Sequence, residues 1–179
     1  MEIQRMPKKV DIAPSSLAGF PSYYRADFTP LIGFVMNLGA KPEEARDVAQ
    51  EAMQAAMRRW PEIEYPRAFT RKAAERVYLR DVQKARRVRE AVLNDVGRRA
   101  ATAPDVAVRQ TGERFALELL TLLPSEQRAV MAWTIDGYSC AEIAEITGHK
   151  PATVRSHLRH ARRRLQRELK ARKEASDGP

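Results

Sequence analysis

Three things are scarce in this chain: cysteine, aromatic residues and long apolar runs. Among 179 residues there is one cysteine, Cys140, which excludes an internal disulfide and a cysteine-based zinc site. Aromatic residues make up only 7% and glycine is rare, while alanine, leucine, arginine and glutamate fill the long segments. This composition favours an all-α fold. Because no run of 18 apolar residues and no signal-peptide core is visible, we expect a cytoplasmic protein without membrane insertion.

Basic charge is what the sequence has in excess. The net charge is +9 and the pI is about 10.0, which indicates a polyanionic partner, either nucleic acid or an anionic membrane surface. Residues 67–90 hold nine Lys and Arg against three acids, and residues 154–173 hold nine against one. Residues 41–65, by contrast, hold six acids against four bases. The sequence therefore predicts two separate basic surfaces, one at residues 67–90 and one at residues 154–173. A protein with a single DNA-binding helix does not need the surface at residues 67–90.

Hydrophobic periodicity divides the chain into two helical domains. After a loose leader at 1–19, residues 20–92 contain three predicted helices: one that ends near Gly39, one that follows Pro42, and one from about Arg67 to Glu90. Periodicity fades over residues 93–112, which are rich in small residues and contain a proline and two glycines, so we predict a flexible linker there. A second helical domain follows at 113–173, with a short charged tail at 174–179.

The clearest motif spans residues 137–169. Ser139 and Glu142 have the spacing of a capping box, Gly148 stands where the short first helix must end, and Pro151 suits the first turn of the next helix. This order predicts a helix-turn-helix whose second helix enters the DNA major groove. One apolar stripe along that helix is expected to face the core, and it consists of Val154, Leu158, Ala161, Leu165 and Leu169.

The other faces of this second helix carry the candidate DNA contacts. Arginine can bind guanine through two hydrogen bonds, and hydroxyl groups near a helix start can hold phosphate. On this reasoning the residues predicted to contact DNA are Thr153, Arg155, Ser156, His157, Arg159, His160 and Arg163. The alternative is an ordinary surface helix with a solvated basic face.

Both halves together resemble an extracytoplasmic-function (ECF) sigma factor of bacterial RNA polymerase. The segment AKPEEARDVAQEAMQAAMRRW is similar to sigma region 2, with Asp47, Gln50, Glu51 and Trp60 at the family's motif positions. The segments LLTLLPSEQRAVMAW and YSCAEIAEITGHKPATVRSHLRHARRRL are similar to region 4. The resemblance covers residues 20–92 and 113–168. It implies binding to core polymerase through the β′ clamp and the β flap, recognition of promoter DNA, and control by an anti-sigma factor.

The resemblance also implies a role for the third helix in promoter melting. Exposed arginines attract the DNA backbone and aromatic rings stack on unpaired bases, so the candidate residues are Arg71, Arg76, Tyr78, Arg80, Lys84, Arg86 and Arg87. Asp47, Gln50 and Glu51 are the residues implied to bind RNA polymerase. The chain departs from the family at Phe69-Thr70 and Ala74-Glu75, and an acid such as Glu75 near extruded bases would repel phosphate.

Three other functions could be assigned to the same residues. A stand-alone helix-turn-helix regulator would not need the basic third helix. A metal-dependent nucleic-acid hydrolase would use the carboxylates at 47 and 51, but no histidine or second acidic cluster accompanies them. An RNA-binding or membrane-surface protein driven by charge would not explain the turn at Gly148. Cys140 is expected to be a packing residue, and the three histidines lack metal-ligand spacing. We therefore expect no enzyme activity, no metal and no cofactor.

Overall fold

A computed structural model describes residues 19–95 and 111–176 of the chain. Within these ranges the secondary structure is helical and contains no strand, which confirms the predicted all-α fold. The helices are α1 (Phe20–Leu38), α2 (Pro42–Arg58), α3 (Pro66–Asp95), α4 (Thr111–Thr121), α5 (Ser125–Ile135), α6 (Cys140–Thr147) and α7 (Pro151–Ser176), with one 3-10 turn at Trp60–Glu62. Residues 1–18 of the predicted leader (1–19), residues 96–110 of the predicted linker (93–112) and residues 177–179 of the tail lie outside the described residues. The ends of the predicted linker, 93–95 and 111–112, are helical and belong to α3 and α4.

The ends of the first three helices follow from local chemistry. Gly39 ends α1 in a left-handed conformation with φ of 110°, and its N–H donates to the carbonyl of Met36. Pro42 opens α2, where the carboxylate of Glu44 accepts the backbone N–H of Lys41 at 3.0 Å. The third helix extends five residues past the predicted end at Glu90, since no glycine or proline interrupts the chain before Gly97.

Helices α1, α2 and α3 pack together and form the N-terminal half, residues 19–95. Trp60 is fully buried there, with its ring centroid 5.3 Å from Phe20 and 5.1 Å from Tyr23. Trp60 is therefore a core residue of this half. The other buried side chains come mostly from the apolar face of α2, which comprises Ala45, Val48, Ala49, Ala52, Met53 and Ala56.

Helices α4 to α7 form the C-terminal half, residues 111–176. Val154, Leu158 and Ala161 are buried as predicted, and Leu165 is half-buried. Leu169 is 43% exposed, so the prediction that the buried stripe continues to this residue is wrong. The physical reason is length: α7 has 26 residues and extends beyond the short helices that cover its first turns.

The two halves share one hydrophobic cluster, because α5 packs against α1. Trp133 of α5 meets Phe34 of α1 edge-on, with ring centroids 5.1 Å apart, and Tyr138 also packs edge-on against Trp133, with centroids 5.0 Å apart. The sequence predicts two helical domains but gives no sign of this contact. None of the helices in the described ranges has the length and apolarity that a membrane span requires.

Candidate nucleic-acid and polymerase interface

Helices α6 and α7 form the predicted helix-turn-helix. The hydroxyl of Ser139 accepts the backbone N–H of Glu142 at 3.3 Å, and the carboxylate of Glu142 accepts the N–H of Ser139 at 2.8 Å. The capping box is therefore confirmed. Gly148 ends α6 with φ of 80°, a left-handed conformation that favours glycine, and α7 begins at Pro151.

The residues predicted to contact the upstream element lie on one accessible side of α7. Val154 and Leu158 point into the core, which leaves the intervening positions facing outward. Of the seven predicted residues, Thr153, Arg155, Arg159, His160 and Arg163 are exposed, while Ser156 and His157 are half-buried. An exposed helix face with this density of arginine can bind phosphates and base edges in a major groove.

The second basic surface lies along α3. Arg76, Arg80, Lys84, Arg86 and Arg87 are exposed, as single-strand binding would require. Tyr78 is half-buried, and burial raises the pKa of its phenol. Its ring is thus only partly accessible for stacking.

The sequence predicts that Arg71 is an exposed DNA-binding residue. The predicted exposure is wrong in this arrangement. The residue is fully buried, and its guanidinium lies between two carboxylates. Nη1 donates to Asp27 of α1, while Nε and Nη2 donate to the two carboxylate oxygens of Asp136 at 3.1 and 3.3 Å. Burial alone would lower the pKa of Arg71, but Asp27 and Asp136 together raise it above its ordinary value. Arg71 is therefore a permanently charged link between the two halves.

Glu75 lies at the same junction. It is half-buried, and its carboxylate accepts the indole N–H of Trp133 at 3.0 Å. Burial raises the pKa of Glu75, and the bond from Trp133 only partly opposes this shift. In this arrangement the side chain that the sequence places near extruded bases contacts the C-terminal half instead.

The residues implied to bind polymerase lie on the outer face of α2. Asp47 and Gln50 are exposed and Glu51 is half-buried. Both carboxylate oxygens of Glu51 accept hydrogen bonds from Arg80 of α3, at 2.9 and 3.0 Å, and these bonds lower the pKa of Glu51. The oxygen of Gln50 accepts the hydroxyl of Tyr24 at 2.9 Å. Among the described residues, no three His, Cys, Asp or Glu side chains converge on a point that would suit a metal.

Asp27, Trp133 and Asp136 are the interface residues that sequence reasoning missed. Each stands alone in the sequence, and only the packing of α1 against α5 brings them to α3. A weak signal did exist for Asp27, since it shares a helical face with Tyr23, Leu31 and Phe34, and an acid on an apolar face needs a buried partner. Cys140 is half-buried and packs against the shared core, consistent with a packing role.

Comparison with known proteins agrees with this geometry. Residues 116–165 match the sequence model of the family "Sigma-70, region 4". The fold is similar to that of the sigma factor RpoE from Bartonella quintana, solved in complex with the anti-sigma factor NepR. That match has a TM-score of 0.66 and 23% identity, and it covers 84% of this chain and 96% of that one. A comparison with curated protein sequences gives no match.

Residues 116–165 are therefore similar in sequence to sigma-70 region 4, and the fold of the described chain is similar to that of a sigma factor. Both findings support the ECF sigma factor indicated by the sequence motifs, and they do not favour the stand-alone regulator.

Proposed function

We propose that this protein is an ECF-type transcription initiation factor that binds core RNA polymerase, recognises promoter DNA through α6 and α7, and helps to open it through α3. The observation that carries the proposal is the pairing of a region 4 helix-turn-helix with a second basic helix in the other half. A regulator that only binds duplex DNA would not need this second basic helix. The protein performs no bond chemistry of its own in this scheme.

The C-terminal half supplies the grip on the upstream duplex. The N-terminal part of α7 enters the major groove, with Arg155, Arg159 and His160 directed at base edges or phosphates. Thr153 and Ser156 lie at the helix start, where hydroxyl and backbone N–H groups can hold phosphate. Arg163 lies further along the same helix and is assigned to the DNA backbone.

The N-terminal half supplies the contacts to polymerase and to separated strands. The exposed face of α2 with Asp47, Gln50 and Glu51 binds the β′ clamp, and the C-terminal half binds the β flap. The exposed cations of α3 then hold the backbone of the melted strand. Because both halves belong to one chain, engagement of one raises the effective concentration of the other without any new contact.

The boundaries of these two units are part of the proposal. Region 2 corresponds to residues 20–92 and region 4 to residues 113–173, with a linker at 93–112. An anti-sigma factor is a further proposed partner, because the similar RpoE structure was solved with one. Its effect would be to cover the surfaces that bind DNA and polymerase until it is released.

In-vitro transcription with purified core polymerase and a promoter library tests the proposal. The protein is expected to associate with core and to direct new start sites, whereas a stand-alone regulator would bind duplex DNA without core. A matched pair of variants sharpens the result. Gln50→Ala on the α2 face should weaken core association, while Gln166→Ala on α7, also an exposed glutamine, should not. Absence of core binding by the wild-type protein would refute the proposal.

A further inference from the structure

Arg71 lies at the junction between the halves and donates hydrogen bonds to a carboxylate of each half. Within the N-terminal half its Nη1 is held by Asp27, which also accepts the hydroxyl of Tyr23 at 2.6 Å. Thr70 joins the same network, with its hydroxyl 2.8 Å from that of Tyr23. All of these partners lie in α1 and α3, so they stay with Arg71 whether or not the C-terminal half is packed against it.

The opposite edge of the guanidinium has a different partner. Nε and Nη2 form the two-pronged edge of arginine that fits a carboxylate or a phosphate with two parallel hydrogen bonds. In this structure that edge is filled by Asp136, at the C-terminal end of α5. Arg67 of α3 also pairs with the Asp136 carboxylate at 3.1 Å and donates to its backbone carbonyl at 3.1 Å.

We infer that Asp136 is an internal competitor of DNA. Its carboxylate accepts the hydrogen bonds of Arg71 and pairs with the charge of Arg67, and a phosphate of the melted strand would otherwise bind these two groups. The inference rests on the proposed function of α3 in strand binding. It makes the packed arrangement of the two halves self-inhibitory, since region 4 must leave α3 before Arg71 can contact DNA. Asp27 keeps the guanidinium aligned while this exchange takes place.

Three features distinguish this junction from an ordinary buried ion pair. The pair joins the two halves of the chain, so separation of the halves exposes it. The cations come from the helix that carries the second basic surface, and the acid comes from the half that carries the duplex-binding helix. A second polar contact crosses the same junction, where Trp133 of the C-terminal half donates a hydrogen bond to Glu75, an acid of α3.

The binding of a fluorescent single-stranded DNA oligonucleotide to the full chain, measured over a range of salt concentrations, tests the inference. In Asp136→Asn the amide keeps the shape of the side chain but loses its charge, so a larger fraction of molecules presents Arg71. The expected result is binding about tenfold tighter than wild type, because apparent affinity scales with the competent fraction. The salt dependence should also steepen by about 0.7 in log–log slope for one added phosphate contact.

The matched control is Glu118→Gln, which removes the same charge from an exposed pair with Arg114 in α4 that takes no part in the hydrogen bonds of Asp136. Its affinity and slope should stay close to wild type. A folded Asp136→Asn that behaves like Glu118→Gln, or that binds more tightly with an unchanged salt slope, overturns the inference. If circular dichroism shows that Asp136→Asn is misfolded, Trp133→Phe replaces it, since this change weakens the same junction without altering a charge. It should shift affinity and slope in the same direction, and no shift would equally overturn the inference.

The transcription assay separates this inference from the proposed function. If wild-type protein directs initiation but Asp136→Asn binds single strands no better, only the competition by Asp136 is wrong. If wild-type protein fails to associate with core polymerase, the proposed function is wrong whatever the oligonucleotide result.

Discussion

Trp133 donates its indole N–H to the carboxylate of Glu75 over 3.0 Å, and this bond joins α5 of the C-terminal half to α3 of the N-terminal half. Trp133 is buried and Glu75 is half-buried. The bond satisfies a donor that would otherwise be lost in the core. It also places a carboxylate where its charged form is disfavoured, and a pH effect follows from that placement.

Replacement of Glu75 by Gln should stabilise the protein increasingly as the pH rises above 4.5. The pKa of Glu75 is raised above its ordinary value of 4.5, mainly by burial, so the folded state holds this proton more tightly than the unfolded state. The contribution of Glu75 to stability is therefore complete below pH 4.5 and is lost as the pH passes the folded pKa. Glutamine has no such loss and can still accept the Trp133 N–H. Urea unfolding of both proteins at pH 4.5 and pH 7 measures the difference.

The other carboxylates are common to both proteins, so their contribution cancels in the comparison. The burial of Glu75 would be contradicted if the difference in unfolding free energy between Glu75→Gln and wild type stayed constant or narrowed toward pH 7. Glu43→Gln serves as the control, because Glu43 is an exposed acid in the first turn of α2 and is not among the charges that act on Glu75, so this variant measures the effect of removing a surface charge alone.

The local structure of this chain could be predicted from sequence much further than its tertiary contacts. The helix-turn-helix was predictable because a capping box, a left-handed glycine and an N-terminal proline act over a few residues. The burial of Arg71 was not, because it depends on Asp27 and Asp136, which lie 44 and 65 residues away in sequence. An isolated arginine on a basic helix gives no sign of which face a second domain will cover.

The left-handed turn at Gly148 provides a clean measure of backbone strain. A Cβ at this position would meet no other atom within 4 Å, so the cost of Gly148→Ala comes from the φ of 80° alone. We expect a loss of about 1–2 kcal/mol in unfolding free energy. Gly33→Ala is the matched control: this glycine lies inside α1, also has open space around it, and should stabilise the protein by about 0.5–1 kcal/mol. Equal effects of the two substitutions would rule out the strained turn.

The capping box of α6 should make a measurable contribution to the stability of the protein. Ser139→Ala removes the acceptor for the N–H of Glu142 and is expected to cost about 1 kcal/mol of stability. Thermal unfolding followed by circular dichroism measures this loss. Ser125→Ala, at the start of α5 where the structure shows no side-chain cap, should cost less. If the two alanine variants unfold at the same temperature, the Ser139 cap contributes nothing measurable.

Glu51 links the proposed polymerase surface to the proposed strand-binding surface through its paired hydrogen bonds with Arg80. Glu51→Gln should weaken association with core polymerase roughly fivefold, about the value of one lost hydrogen bond, while freeing Arg80 to bind DNA more strongly. Glu62→Gln is the control, since Glu62 forms a similar exposed pair with Arg59 away from the α2 face. Core affinity from fluorescence anisotropy and single-strand affinity from the oligonucleotide assay should move in opposite directions. A parallel decrease in both would mean that the substitution has disturbed the packing of α2 on α3.

Arg159 is the strongest single candidate for sequence-specific contact, because it is exposed and lies in the part of α7 that follows the turn. Arg159→Gln should weaken binding to duplex promoter DNA by about 1–3 kcal/mol and relax the preference at one base pair. Arg167→Gln, two turns further along the helix and also exposed, should cause a smaller loss that is the same for all sequences. Competition binding against a panel of promoter variants distinguishes the two patterns. Core association should be retained in both proteins, and its loss in Arg159→Gln would indicate misfolding rather than loss of a DNA contact.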